Sequence, residues 1–318
     1  MPVNNTVSLN LRRPGTPGFA AACAGFDLSA IPASDIAISA TDEHDVRAAV
    51  RFAADRGLPV AVRTTGHGPV PGVDHGVLVD TRALSSVTVD PARHTAVAGG
   101  GVRWAQVLPQ TALFGLIPLC GSSPDVGVAA YTLGGGLGPL GRRHGWAADR
   151  VRRIRLVTPD GELREVSADS DPELFWALRG GGGGFGVVTE VEFDLVAGDA
   201  LYGGGLYLPG AAAPELLAAF GRCTATAPDE LSLSVAFITF PDLDPIPAPL
   251  WGCTPGAWAP SRWSAARRGR RGRAWTPPTR PAGIPTCWTS RSPTPRRCWP
   301  NAPPSSASSR TAASRSPL

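Results

Sequence analysis

The sequence predicts an α+β fold from two observations. Short apolar strands and amphipathic helices follow one another from residue 33 to about residue 200, and several strand pairs are joined by tight turns. Apolar residues make up 43% of the 318 residues, which is enough for the buried core of one large or two ordinary domains. Neither a sequence repeat nor a long linker interrupts this region.

The first helix is predicted by apolar residues at helical spacing, with acidic residues in its first turn and Gly57 as the stop signal. Its apolar face consists of Val46, Ala49, Val50 and Ala53. A helix over 102–114 is expected to be kinked or shortened by Pro109. Around these helices the pattern predicts strands at 58–63 and 77–80 and a hairpin formed by 87–89 and 95–97.

Glycine dominates residues 121–141, where helix propensity is low, so no good helix is expected there. A hairpin, a helix, a second glycine run and a strand then follow at 151–166, 172–178, 180–186 and 187–195. After residue 200 the pattern predicts a strand, a helix and a half-buried strand at 205–208, 213–220 and 231–237.

The predicted domain organisation has four parts. Residues 1–32 form an N-terminal segment, and residues 33–200 form the main α+β domain. Residues 201–250 begin a second α+β domain, which we expect to be incomplete. Residues 251–318 form a tail rich in Arg, Pro and Ser.

The tail has a different composition from the rest of the chain. All 30 basic residues are Arg; residues 1–250 hold 18 of them against 26 acidic residues, a net charge of −8. Residues 251–318 hold 12 Arg and no acidic residue, a net charge of +12, together with six of the nine Trp. A disordered basic tail and a stretch read out of frame both fit this composition, and the scattered Trp residues favour the second. Truncation or a frameshift near residue 250 is therefore an expectation.

Several classes of protein are not expected. No apolar run reaches the length of a membrane span, and the first 27 residues lack the pattern of a secretory signal. Outside the tail an odd number of cysteines shows no CxxC pairing, so neither a disulfide framework nor a metal site is expected. We expect a cytoplasmic protein. A nucleic-acid-binding arm in the tail would have the charge but lacks a matching motif.

Glycine-rich loops beside strand ends are the main functional signal. They occupy 63–68, 121–141 and 180–186, and such loops let backbone N–H groups approach the phosphate of a cofactor, although tight turns between packed elements also explain each one singly. The last loop follows a helix and precedes a strand, which is the reverse of the order in a Rossmann turn. In the first, His67 lies between Gly66 and Gly68, where its ring can project from a tight turn.

Five segments in series carry a family resemblance: "LPVAVRTTGHG", "GVLVDTRALSSVTVDPARHTAVAGGGVRWAQV", "GVAAYTLGGGLGPLGRRHGWAADRV", "LVTPDGEL" and "ELFWALRGGGGGFGVVTEVEFDL". They resemble the FAD-binding domain of the vanillyl-alcohol oxidase and p-cresol methylhydroxylase (PCMH) superfamily, in particular the berberine-bridge-enzyme-like oxidoreductases. This resemblance implies a PCMH-type FAD-binding domain of two α+β subdomains, and it extends over residues 33–250.

The resemblance also implies the cofactor and its contacts. FAD is expected to be covalently bound through His67 alone, because Ser123 stands where some relatives have a second, cysteine attachment. No catalytic base can be assigned. The residues expected to contact FAD are Arg63, Thr64, Thr65, Gly66, His67, Gly68, Gly121, Ser122, Ser123, Gly127, Gly134, Gly135, Gly136 and Val188.

The expected function is hydride transfer from a small organic substrate, such as an alcohol, amine or sugar, to FAD, with reoxidation by oxygen or another acceptor. The alternative is an inactive fragment or a flavin-binding remnant without a substrate domain. Neither a metal, a membrane nor a nucleic acid is expected as a partner.

Overall fold

The computed structural model describes residues 9–27, 34–68, 75–198, 201–204, 206–208, 210–237, 252–253 and 259–260. All of them fall in the first of two compact units, Met1–Arg267, while the second unit, Arg268–Leu318, lies outside the described residues. Almost all of the predicted tail, residues 251–318, therefore lies outside the described residues, and its disorder stays a prediction.

The first sheet has four strands in the order β1-β2-β4-β3. These are β1 (Leu11–Arg12), β2 (Ile36–Ser39), β3 (Val60–Arg63) and β4 (Val77–Asp80); β2, β4 and β3 are parallel, and β1 is antiparallel to β2. Helix α1 (Phe19–Cys23) packs Ala22 and Cys23 against Ala37, Ala61 and Leu78 of this sheet.

Helix α2 (Glu43–Ala54) lies between the two sheets. Asp42 caps its N-terminus by accepting a hydrogen bond from the N–H of Asp45, at 2.9 Å. Its predicted apolar face is buried, as expected, and packs with strands of the first sheet and with Val157 and Val187 of the second. The predicted helix and its buried apolar face are confirmed, and Gly57 follows its end.

The second sheet has five antiparallel strands in the order β5-β6-β10-β8-β9. Its strands are β5 (Val87–Asp90), β6 (Thr95–Gly99), β8 (Val151–Val157), β9 (Leu163–Ser167) and β10 (Val187–Asp194), while β7 (Leu116–Ile117) pairs separately with β11 (Val196–Ala197). The central strand β10 carries a bulge between Val188 and Glu190 where it faces β8. Together with the first sheet, this makes the α+β architecture that the sequence predicts.

Three helices cover one face of the second sheet. They are α3 (Trp104–Ala112), α4 (Val128–Leu133) and α6 (Pro172–Gly181), and they bury Trp104, Val128, Phe175 and Leu178 against it. Helix α3 is shorter than the pattern suggested and contains Pro109, as expected. Helix α4, the short helix α5 (Gly141–His144) and the 3-10 turn Ala147–Arg150 complete this region.

Two predictions about secondary structure are wrong. The glycine run over 121–141 contains helix α4, because six non-glycine residues lie between Gly127 and Gly134 and their apolar side chains pack on the sheet. Residues 231–237 form no strand, although their apolar residues alternate. Such a pattern needs a neighbouring strand with which to exchange backbone hydrogen bonds, and the described residues give it none.

The described part after residue 200 holds helix α7 (Ala213–Thr226), the 3-10 turn Gly210–Ala212 and two-residue strands. Strand β12 (Leu201–Tyr202) pairs with β15 (Ala259–Pro260), and β13 (Leu206–Tyr207) pairs with β14 (Gly252–Cys253). None of the described helices is long and apolar enough to cross a membrane.

Candidate cofactor site

The loop Arg63–Gly68 begins at the last residue of β3, an edge strand of the first sheet. The hydroxyl of Thr64 is 2.8 Å from that of Thr81 and donates to the carbonyl of Gly100 at 3.1 Å. Thr81 in turn donates to the carbonyl of Arg63 at 3.2 Å. These bonds tie the loop to the turn that follows β6 in the second sheet, so the predicted first loop lies at the junction of the two sheets.

His67 is half-buried in this loop and held on two sides. Its Nδ1 lies 2.9 Å from the hydroxyl of Thr65. Its ring stacks on that of Phe26, with 4.1 Å between centroids and 9° between planes. Its Nε2 is buried and has no hydrogen-bond partner among the described residues. The imidazole therefore has a defined orientation and a nitrogen available to a ligand.

The second predicted loop meets the first at Gly127. A Cβ atom at Gly127 would stand 3.3 Å from the Thr64 methyl group and 3.8 Å from the Thr65 hydroxyl, so the two loops are in close contact here. Gly121 packs on the ring of Tyr131, and Ser122 and Ser123 lie between these two glycines. The loop thus lies next to the residues that hold His67.

Helix α4 joins Gly127 to the third group, Gly134–Gly136. Gly135 and Gly136 have φ of +107° and +72°, a left-handed conformation that favours glycine, and their carbonyls accept hydrogen bonds from Ala148 and Ala147. The carbonyl of Leu133 accepts the N–H of Gly182 at 3.2 Å. This bond connects the end of α4 to the glycine run over 180–186.

Val188 reaches the same region from β10. A Cβ atom at Gly100 would stand 2.2 Å from the Val188 carbonyl oxygen, and the N–H of Gly100 donates to Thr189 at 2.8 Å. Since Gly100 also accepts the Thr64 hydroxyl, one glycine connects Val188 to the first loop. Direct contacts therefore bring together three of the predicted groups of FAD-contacting residues, namely the first loop, Gly127 and Val188. Helix α4 connects Gly127 to the fourth group, Gly134–Gly136.

Sequence reasoning missed Phe26, Thr81 and the turn Gly99–Gly101. Three consecutive glycines at the end of a strand were a usable signal for the turn, because a Cβ at Gly101 would stand 2.0 Å from the carbonyl oxygen of Thr81. Phe26 had no signal, since a single exposed aromatic residue in an N-terminal segment belongs to no periodic pattern.

Buried polar atoms without partners occur in several of these segments. Among the described residues there are seven such atoms. They belong to the first loop, to α4 and its neighbour Trp104, and to the residue before the last glycine run. The atoms are Arg63 Nε and Nη1, His67 Nε2, Trp104 Nε1, Tyr131 Oη, Thr132 Oγ1 and Arg179 Nε. Native proteins seldom leave buried polar groups unpaired, so these residues fit a large polar ligand such as a dinucleotide.

The guanidinium of Arg63 is buried beside the N-terminal segment. It is 2% exposed, and burial lowers the pKa of its guanidinium, with a further lowering by Arg82 that Cys23 and Asp80 partly offset. Its Nη1 lies 3.1 Å from the position of a Cβ atom at Gly25. The side chain of Arg63 therefore packs against the N-terminal segment at Gly25.

A separate cavity of about 250 Å³ lies between the end of β7, α5 and the residues after 200, lined among others by Leu140, Arg143, His144, Asp229 and Glu230. Burial and the neighbouring Arg143 and Arg150 lower the pKa of His144.

No group of three or more His, Cys, Asp or Glu side chains in the described part of the chain could hold a metal ion.

Comparison with known proteins indicates an FAD-binding domain. Residues 34–167 match the family described as FAD binding domain. The chain is 42% identical over 153 residues to (R)-6-hydroxynicotine oxidase of Paenarthrobacter nicotinovorans, which covers 48% of this chain and 33% of that relative. The chain thus spans about a third of the length of the curated relatives it matches.

Solved structures give a similar result. The structure of 6-hydroxy-D-nicotine oxidase from Arthrobacter nicotinovorans superposes with a TM-score of 0.69 at 30% identity, covering 80% of this chain and 57% of that one. Glucooligosaccharide oxidase from Acremonium strictum, described with a 6-S-cysteinyl, 8α-N1-histidyl FAD, superposes with a TM-score of 0.67 at 25% identity, covering 79% and 52%. The predicted PCMH-type, berberine-bridge-enzyme-like fold is confirmed.

Proposed function

Because residues 34–167 belong to the family of FAD-binding domains, we propose that this chain holds FAD covalently through His67 and is the cofactor-binding part of an FAD-dependent oxidoreductase. The observation that carries the proposal is the arrangement of His67. Its ring is fixed by Thr65 and Phe26, one of its nitrogens is buried without a partner, and it lies beside the glycines at the junction of the two sheets.

The residues that would hold the cofactor are the backbone of Thr64–Gly68, the loop from Gly121 to Gly127, Gly134–Gly136 and Val188. A neutral imidazole nitrogen is a competent nucleophile near neutral pH, so His67 suits the role of attachment residue. Ser123 lacks the thiol needed for a second bond, which favours attachment through His67 alone. Bound FAD would supply a two-electron acceptor that takes a hydride from a small organic substrate and passes the electrons to oxygen or another acceptor.

Acid precipitation tests the attachment. We expect flavin absorbance to remain with the precipitated native protein, and His67→Ala to release it to the supernatant. His44→Ala is the matched control, because His44 is an exposed residue of α2 far from the loop in sequence, and it should retain the flavin. Flavin found wholly in the supernatant of the native protein contradicts covalent attachment, and flavin retained by His67→Ala contradicts His67 as the attachment residue.

A second candidate is a flavoprotein remnant that binds FAD without turnover. It is favoured by the described part after residue 200, where one helix, one 3-10 turn and two-residue strands are the regular elements found. Anaerobic addition of alcohols, amines and sugars separates the two candidates. Bleaching of the flavin absorbance supports the oxidoreductase, whereas bleaching by dithionite alone supports the remnant.

A further inference from the structure

The segment Ala24–Asp27 crosses over the loop that carries His67. The N–H of Phe26 donates to the carbonyl of Thr65 at 2.9 Å, and the N–H of Asp27 donates to the carbonyl of Gly66 at 2.9 Å. Gly25 and Gly66 approach so closely that a Cβ at Gly66 would stand 2.7 Å from the Gly25 Cα. The segment is therefore fixed to the backbone of Thr65 and Gly66, the two residues that precede His67.

These bonds place the ring of Phe26 on the ring of His67. The two planes are nearly parallel, at 9°, and the centroids are 4.1 Å apart. Phe26 remains 70% exposed, so burial of its own side chain contributes little to the stability of the fold. Stacking restricts the tilt of the imidazole, and the bond from Nδ1 to the Thr65 hydroxyl restricts its rotation.

We propose that Phe26 is a positioning residue for the attachment of FAD to His67, an inference that rests on the proposed function. Attachment forms a C–N bond between an imidazole nitrogen and the 8α carbon of the flavin. It breaks one C–H bond of that methyl group and the imidazole N–H bond, releases both protons, and leaves two electrons on the flavin, which dissolved oxygen removes. Phe26 takes no part in these bonds; it holds the nucleophile in the reactive orientation.

The test measures the rate of covalent incorporation. Full-length protein produced without flavin is mixed with FAD in air, and flavin in the acid precipitate is followed over time. We expect Phe26→Ala to slow incorporation about threefold to tenfold, as the loss of one aromatic stack implies. Phe26→Trp, which keeps the stack, should restore the rate. Trp176→Ala is the matched control, since Trp176 is an aromatic residue of α6 that is 74% exposed.

A second measurement needs no flavin. In the ¹H NMR spectrum of the flavin-free protein, stacking on Phe26 should shift the His67 ring protons upfield, and Phe26→Ala should move them back, with His67→Ala identifying the signals. Melting temperatures should be close to native in both Phe26 variants, because the side chain is mostly exposed.

The outcomes separate the two proposals. Incorporation by Phe26→Ala at the native rate overturns the role of Phe26 and leaves the attachment intact. Slow incorporation that Phe26→Trp does not restore also overturns it, since the defect is then not one of stacking. A native protein that takes up no covalent FAD overturns the attachment and the role of Phe26 together.

Discussion

Gly100 lies directly against Val188, and a Cβ atom at Gly100 would stand 2.2 Å from the Val188 carbonyl oxygen. The N–H of Gly100 donates to the next carbonyl, that of Thr189, at 2.8 Å. The turn after β6 therefore packs directly on the bulge of β10, and the space between them cannot hold a side chain at Gly100. The Gly100 carbonyl also accepts the Thr64 hydroxyl, so Gly100 connects the second sheet to the loop that carries His67.

Gly100→Ala should disturb this junction. The added methyl group must displace the backbone of β10, which we expect to lower the free energy of unfolding by about 1–3 kcal/mol and to weaken FAD binding. Urea unfolding and FAD titration measure the two effects. Gly221→Ala is the control: Gly221 lies in α7 with nothing within 4 Å of an added Cβ, so stability should stay unchanged or rise slightly. Native stability and affinity in Gly100→Ala would contradict the prediction.

Thr64→Val keeps the shape of the side chain and removes its hydroxyl. The bonds to Thr81 and to the Gly100 carbonyl are lost, which should cost about 1–2 kcal/mol of stability and loosen the loop that carries His67. Thermal unfolding and the yield of covalent FAD report these effects. Thr224→Val, which also removes a hydroxyl donating to backbone carbonyls, lies in α7 and should leave the FAD yield unchanged. Equal FAD yields in the two variants would argue against a link between the sheets through Thr64.

In the flavin-free protein, Tyr131→Phe should be neutral or stabilising. The Tyr131 hydroxyl is buried without a hydrogen-bond partner in the described part of the chain, and burial raises its pKa to about 12. Removing an unpaired buried hydroxyl can raise the free energy of unfolding by up to about 1 kcal/mol. Tyr131→Ala should instead cost about 3–5 kcal/mol, because the ring packs against Gly121 and Gly136. A clear loss of stability in Tyr131→Phe would reveal a partner for the hydroxyl.

Asp160 should stabilise the hairpin β8–β9 near neutral pH and lose this contribution in acid. The hydroxyl of Thr158, the N–H of Glu162 and the guanidinium of Arg164 hold the pKa of its carboxyl at about 2. A carboxyl whose pKa is lower in the folded state stabilises the fold above its unfolded pKa, and that contribution disappears as the pH falls toward about 2. The melting temperature of Asp160→Asn should therefore fall less steeply than the native one on acidification from about pH 4. Asp55→Asn, at the exposed end of α2, is the control; parallel curves for native protein and Asp160→Asn would refute the prediction.

The elements that sequence reasoning predicted well are those whose signal is local. Helix α2 shows its apolar face, its capping aspartate and its stop signal within sixteen residues of sequence, and β4 begins with three consecutive apolar residues. His67 was found because the chain itself surrounds it with glycine after a strand. In each case nearby residues determine the conformation.

The features that were missed depend on contacts between distant parts of the chain. Helix α4 has glycine on both sides, so its propensity is poor, and packing on the second sheet stabilises it. Apolar and polar residues alternate over 231–237 as in a strand, but a strand also requires a neighbouring strand for its backbone hydrogen bonds. Phe26 and Gly100 gain their importance only where the fold brings them to His67 and Val188. Periodicity carries no information about such contacts.

The central place of β10 in the second sheet determines when the cofactor site can form during synthesis. All four strands of the first sheet have been made by residue 80, so that sheet can assemble early. Strand β10 pairs with both β6 and β8, and the second sheet stays divided until residue 194 has left the ribosome. The nascent chain therefore presents the loop of His67 long before the contact between Gly100 and Val188 can close, and FAD meets a complete site only after β10 has inserted.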